Sequence, residues 1–127
     1  MPAELKIEGE RVEQVVFDYA VSLLTERGGF LQIETEFSVR ESATSEPIFF
    51  MPESSKDIGR ILPFVLHATV TNSDVDERGN LTVDFDNGGR LEVPFHAEYE
   101  AWNFVDKSKF RVVVSAGGGL TVWQGGD

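Results

Sequence analysis

The chain has 127 residues, 41% hydrophobic and 26% charged, with a formal net charge of −11 and no cysteine. This length suits one domain that buries its own core, and the missing cysteine excludes disulfides, thiolate metal sites and a cysteine nucleophile. The 22 Asp and Glu against 11 Lys and Arg leave no basic footprint for phosphate backbones or anionic lipid, so neither nucleic acid nor membrane is an expected partner.

The absence of cysteine suits a reducing cytoplasm, and a cytoplasmic protein is expected. No apolar run approaches the ~20 residues that span a bilayer. The opening Met-Pro-Ala-Glu-Leu-Lys-Ile-Glu lacks the basic and then apolar blocks of a signal peptide.

Residues 1–10 are polar and expected to fray. Arg11 to Leu24 is rich in β-formers (Val12, Val15, Val16, Phe17, Tyr19, Val21, Leu23) and reads as two strands bending near Asp18. Glu26-Arg27-Gly28-Gly29 is a turn. Leu31, Ile33, Thr35, Phe37 and Val39 then alternate with polar residues, which predicts one long strand with a wet face.

Glu41 to Glu53 reads as a polar connection carrying Ile48-Phe49-Phe50-Met51, four large apolar residues expected to tuck onto the core. A helix is predicted over 54–62, capped by Ser54 or Ser55, with Asp57 in its first turn and Pro63 ending it. His67 to Asp74 returns to strand, followed by a turn over Asp74–Asn80.

The clearest signal is Leu81-Thr-Val-Asp-Phe-Asp-Asn-Gly-Gly-Arg-Leu-Glu-Val93. Period-two alternation on both sides of Asn87-Gly88-Gly89 predicts a β-hairpin with one buried face. Val21 to Ile33 echoes it, with Gly-Gly at the matching place, so a duplicated unit packed in a shared sheet or sandwich is suggested. After an irregular link from Phe95, short strands are predicted over 101–105, 110–115 and 120–123. Residues 124–127 carry nothing to pack and are expected to be flexible.

No catalytic motif emerges. Asp74-Val-Asp76-Glu-Arg78-Gly79 begins like a calcium loop, but Arg78 replaces an acidic ligand and Phe85 stands where the bidentate Glu belongs. It reads as a turn with Gly79 at positive φ. His67 and His96 are the only histidines, and lie on different elements. Asp84 with Asp86, Glu98 with Glu100 and Glu34 with Glu36 could each pair as acid and base, but residues two apart on a strand share its solvent face by default. Ala116-Gly-Gly-Gly119 precedes a strand and lacks the P-loop lysine. No metal or cofactor is expected. Tyr99, Trp102, Phe104, Phe110 and Trp123 are read mostly as core.

Glu98-Tyr-Glu-Ala-Trp102 followed by Ser115-Ala-Gly-Gly-Gly-Leu-Thr-Val-Trp123 resembles a family of small bacterial proteins of unknown function. The resemblance runs from about residue 10 to 123, with a Pro-containing insert between Arg40 and Arg60. It implies no assigned activity and no catalytic residues. Size, acidity and the missing motif also resemble, loosely, immunity proteins of bacterial toxin systems.

The expected fold is α+β in one domain: mainly antiparallel sheet, with two related hairpins, C-terminal strands and one short helix. The expected function is non-enzymatic binding of a basic protein partner, for instance an immunity protein neutralising a basic toxin. Asp74, Asp76, Glu77, Asp84, Asp86, Glu98 and Glu100 are the expected partner-binding residues. A small ligand-binding module or carboxylate-based hydrolase is one alternative, marked by a deep pocket with two carboxylates, one of raised pKa. A structural subunit is another, marked by exposure of Ile48 to Met51. A free sheet edge allows a homodimer.

Overall fold

A computed structural model describes residues 5–53 and 57–124. Strands β1 (Val12–Phe17), β2 (Val21–Thr25) and β3 (Phe30–Ile33) form an antiparallel meander, bending where Asp18 Oδ1 accepts the Ala20 N–H at 2.9 Å. Strands β6 (Val70–Val75), β7 (Leu81–Phe85) and β8 (Arg90–Val93) form a second meander. Alternating Leu and Val point one face of each hairpin inward, as the period-two pattern requires.

The two meanders are copies. Val21 faces Ile33 in the first, and Leu81 faces Val93 in the second, so matching residues stand 60 positions apart (21 and 81, 33 and 93). The turns match as well: Thr25 N–H donates to Gly29 O at 2.9 Å, and Phe85 N–H to Gly89 O at 3.0 Å. Gly28 and Gly88 take φ of 90° and 89°, a region closed to most L-residues. Even the irregularity in the outer strand repeats, between Val12 and Gln14 and between Val70 and Asn72. The hairpin echo in the sequence thus corresponds to two matching meanders, one in each sheet of a two-sheet sandwich.

Each half then crosses over. Strands β4 (Phe37–Arg40) and β5 (Ile48–Phe50) leave the first meander and extend the second, giving the order β5-β4-β8-β7-β6. Strands β9 (Trp102–Val105), β10 (Phe110–Val114) and β11 (Leu120–Gln124) leave the second and extend the first, giving β1-β2-β3-β9-β10-β11. Leu31 faces Phe104 in one sheet as Leu91 faces Val39 in the other. Along one side the sheets join through an antiparallel bridge between Arg11 and Thr69. The two residues match across the halves (12 and 70 do likewise in the outer strands), as an approximate two-fold axis produces.

The core lies between the sheets. Trp102, Phe37 and Phe104 are its largest fully buried side chains, and Leu, Ile and Val from both meanders fill the space around them. Each such apolar side chain contributes roughly 1.5–3 kcal/mol by leaving water.

Several sequence expectations change here. The long strand over Leu31–Val39 is two strands in different sheets, because the chain crosses at 34–36. Ile48–Phe50 is an edge strand, so its residues divide instead of tucking in together: Phe50 is buried, Ile48 half-buried and Phe49 exposed, with Met51 exposed just beyond. The predicted helix is shifted. A 3₁₀ turn at Ile58–Ile61 runs into α1 (Leu62–Val65), and Pro63 sits in the first turn of α1. There its missing N–H has no helical acceptor to lose, so it starts the helix that it was expected to end. Asp57 precedes the 3₁₀ turn without a side-chain cap, and the proposed caps Ser54 and Ser55 lie outside the described residues. In the N-terminal stretch expected to fray, Leu5 and Ile7 are buried in the core; residues 1–4 lie outside the described ones, as do 125–127, while Gln124 ends β11. Among the described residues no helix is long and apolar enough to cross a membrane.

Candidate functional site

The two crossings meet. The first is Glu34-Thr35-Glu36, between β3 and β4; the second is Pro94 to Ala101, between β8 and β9. Glu34 N–H donates to Ala101 O at 2.8 Å and ties them together. Beside them opens a cleft of about 570 Å³. The first crossing supplies Glu34, Thr35 and Glu36, and the second supplies His96 and Tyr99. Tyr19, from the β1–β2 turn, and Met51 and Glu53, just after β5, complete the lining.

The walls are aromatic and acidic. Tyr19 and Tyr99 are 59% and 62% exposed. The ring of Tyr99 lies 5.0 Å from that of His96, whose Nδ1 accepts the Glu98 N–H at 3.0 Å. Tyr19 is positioned despite its exposure. Its Oη accepts from Gln32 Nε2 at 3.1 Å; Gln32 Oε1 accepts from Asn103 Nδ2 at 3.2 Å; the same amide reaches Glu34 Oε2 at 3.4 Å. Gln32 and Asn103 face each other across β3 and β9, so the paired strands hold this chain in place.

Burial and the neighbouring Glu100 charge push the Glu34 carboxyl above the usual glutamate range. Thr35 is buried, and its Oγ1 has no hydrogen-bond partner among the described residues. A buried hydroxyl in that condition is unusual, since such groups nearly always find a partner. Among the described residues the cleft lining includes no Lys or Arg.

A second concavity, of about 330 Å³, lies on the outer face of β4, β7 and β8. Arg40 and Glu92 pair across it, Arg40 Nε lying 2.9 Å from Glu92 Oε1, and Glu36 lines it as well as the cleft. Phe49, Pro47 and Pro94 make the rest of it largely apolar.

The seven acidic residues singled out in the sequence do not share one site. Glu98 and Glu100 are exposed on the second crossing, beside the cleft. Asp74 and Glu77 are exposed near the β6–β7 turn, Asp74 accepting from Asn72 Nδ2 at 2.7 Å. Asp76 is built into that turn: Oδ1 accepts the N–H groups of Arg78, Gly79 and Asn80 at 3.0, 3.0 and 2.9 Å. Burial pushes its carboxyl up, but the Asn80 side chain and these backbone donors outweigh burial and leave it below the usual aspartate range. Asp84 is paired with Arg90, and Asp86, at the far end of β7, accepts the Thr69 N–H at 3.1 Å. The calcium-like stretch is indeed a turn, with Gly79 at φ 101°.

Nothing in the sequence marks Tyr19, Glu34, Thr35, Glu36, Met51, Glu53, His96 and Tyr99 as one site. They come from four separate stretches, and only the crossings bring them together. The one local signal was the pair Glu34 and Glu36, which the alternation disguised as a solvated strand face.

No curated protein matches this chain, and no solved structure does. The profile described as Family of unknown function (DUF6188) matches residues 3–124, nearly the whole chain, and the protein therefore belongs to that family.

Proposed function

We propose that the protein is a non-enzymatic binding module for a basic protein partner. The observation that carries this reading is the open cleft, with its three carboxylates and two exposed tyrosines. Carboxylates around a concave surface attract a cationic partner over distance, and exposed tyrosines supply contact area on arrival. Glu98 and Glu100 extend the acidic surface beside it. A toxin-neutralising immunity protein is the form of this reading that small size and a net charge of −11 favour. The test is a tagged pull-down from host extract at low and moderate salt, read by mass spectrometry. A basic partner that dissociates as salt rises supports the proposal. Recovery of no basic partner at either salt overturns it.

One observation favours a second reading. Glu34, with its raised pKa, stands in a concave site with Glu36 and His96, the kind of arrangement that a small-ligand module or a carboxylate-based hydrolase would use. A screen of small cationic ligands and of hydrolysable substrates, with Glu34→Gln as control, separates the two. Turnover abolished by that substitution would replace the binding proposal.

A further inference from the structure

We infer that the cleft at the crossings takes an arginine side chain, with Tyr19 and Tyr99 flanking the guanidinium and the carboxylates of Glu34 and Glu36 accepting its N–H groups. This deepens the binding proposal and rests on it.

The cleft combines two kinds of surface that a guanidinium uses together. One is the pair of tyrosine rings, exposed and standing on different elements. The other is a pair of carboxylate acceptors on one short segment, Glu34 and Glu36; between them in the chain stands Thr35, whose buried hydroxyl oxygen has no partner among the described residues. Guanidinium is planar, carries five donors in a fixed fork and stacks on aromatic faces. An ammonium is a compact, strongly hydrated point charge that can sit over a ring but has no plane to lay against it and no fixed fork of donors. A quaternary ammonium would suit the tyrosines but donate nothing to the carboxylates. A metal ion is a poorer fit, because no group of three Asp, Glu or His among the described residues is arranged to hold one.

The site is also ordered before any ligand arrives. The chain Tyr19, Gln32, Asn103, Glu34 joins one aromatic wall to one carboxylate, anchored on paired strands. Each member has a fixed neighbour, so less side-chain entropy is lost when a ligand binds.

The experiment is an NMR titration of ¹⁵N-labelled protein with N-acetyl-arginine-N-methylamide, alongside the lysine and citrulline counterparts. The arginine compound is expected to give saturable shifts confined to Tyr19, Glu34 to Glu36 and His96 to Glu100. The lysine compound should bind several-fold more weakly, and neutral citrulline should not saturate. Glu34→Gln should weaken arginine binding at least about tenfold, the scale of one charge-assisted hydrogen bond. Tyr19→Ala should also weaken it, and by more than Tyr19→Phe, which keeps the ring and loses only the hydroxyl that anchors it to Gln32. An unchanged spectral fingerprint elsewhere shows that each variant is folded. Lysine binding as well as arginine, shifts spread over the acidic surface, or no saturation would overturn the inference. If a basic partner is captured but arginine fails to saturate the cleft, the inference alone falls. If arginine saturates the cleft but no partner is captured, the inference stands and the protein-binding proposal falls.

Discussion

Asp84 and Arg90 face each other across β7 and β8 and form a two-point ion pair, Oδ1 2.7 Å from Nε and Oδ2 3.3 Å from Nη2. The Asp84 hydrogen bond and charge raise the Arg90 guanidinium further above its already high ordinary pKa. Asp84→Lys would set two cations opposite each other in a cross-strand pair, and should cost about 1 kcal/mol of stability. Chemical denaturation measures this, and a double-mutant cycle with Arg90→Gln isolates the pair. A variant as stable as wild type would show that the ion pair contributes nothing.

Glu98 and Glu100 should behave differently. Both are exposed on the crossing beside the cleft. Reversing both to Lys should leave the denaturation midpoint nearly unchanged, yet slow association with a basic partner and flatten its salt dependence. Stopped-flow association at two ionic strengths reads this directly. Unchanged rates would remove the second crossing from the interface.

Asp76 is a stability residue with a pH signature. Its folded pKa is depressed, so its contribution is present above the unfolded value and is lost as pH falls through the folded one. Asp76→Ala leaves three turn N–H groups without their side-chain acceptor and should cost about 1–2 kcal/mol near neutral pH. The difference between variant and wild type should shrink on strong acidification. Thermal melts across the acid range test this; a constant difference would contradict the turn assignment.

Glu34 should show the opposite sign. Its folded pKa lies above the ordinary 4.5. The stability tied to its protonated form is fully present below the unfolded value and disappears as pH rises through the folded one. Glu34→Gln should therefore raise Tm slightly at neutral pH, by no more than about 2 °C for a partly exposed group, and not at about pH 4. A variant that loses Tm at neutral pH would show that the ionised carboxylate is stabilising.

Gly79 joins the two sheets. Its carbonyl accepts the indole N–H of the fully buried Trp102 at 2.8 Å, and its φ is 101°. A Cβ at this position would run into Val114 Cγ2 on β10. Gly79→Ala therefore combines backbone strain with overpacking and should cost about 3 kcal/mol or more. Trp102→Phe keeps most of the ring but leaves that carbonyl unpaired, and should cost about 2 kcal/mol. Denaturation of both variants checks the order; a neutral Gly79→Ala would refute the close packing of this turn.

The local β-structure is legible in the residues alone. Alternation in Leu81–Phe85 and Arg90–Val93, with Gly-Gly turns in both copies, specifies hairpins through backbone geometry and one-sided burial, and these are short-range effects. The sequence also carries the likeness of the two meanders, because matching turn chemistry recurs at a fixed separation. The exchange of strands between the halves is visible only in the folded chain. Glu34-Thr35-Glu36 continues the alternation of the strands around it, so no local signal marks the crossing; β4 joins its sheet by pairing with β8, Val39 facing Leu91. The cleft follows from that exchange. Tyr19, Glu34, Glu53 and Tyr99 are far apart along the chain, and only long-range strand pairing, which local propensity does not encode, brings them to one place.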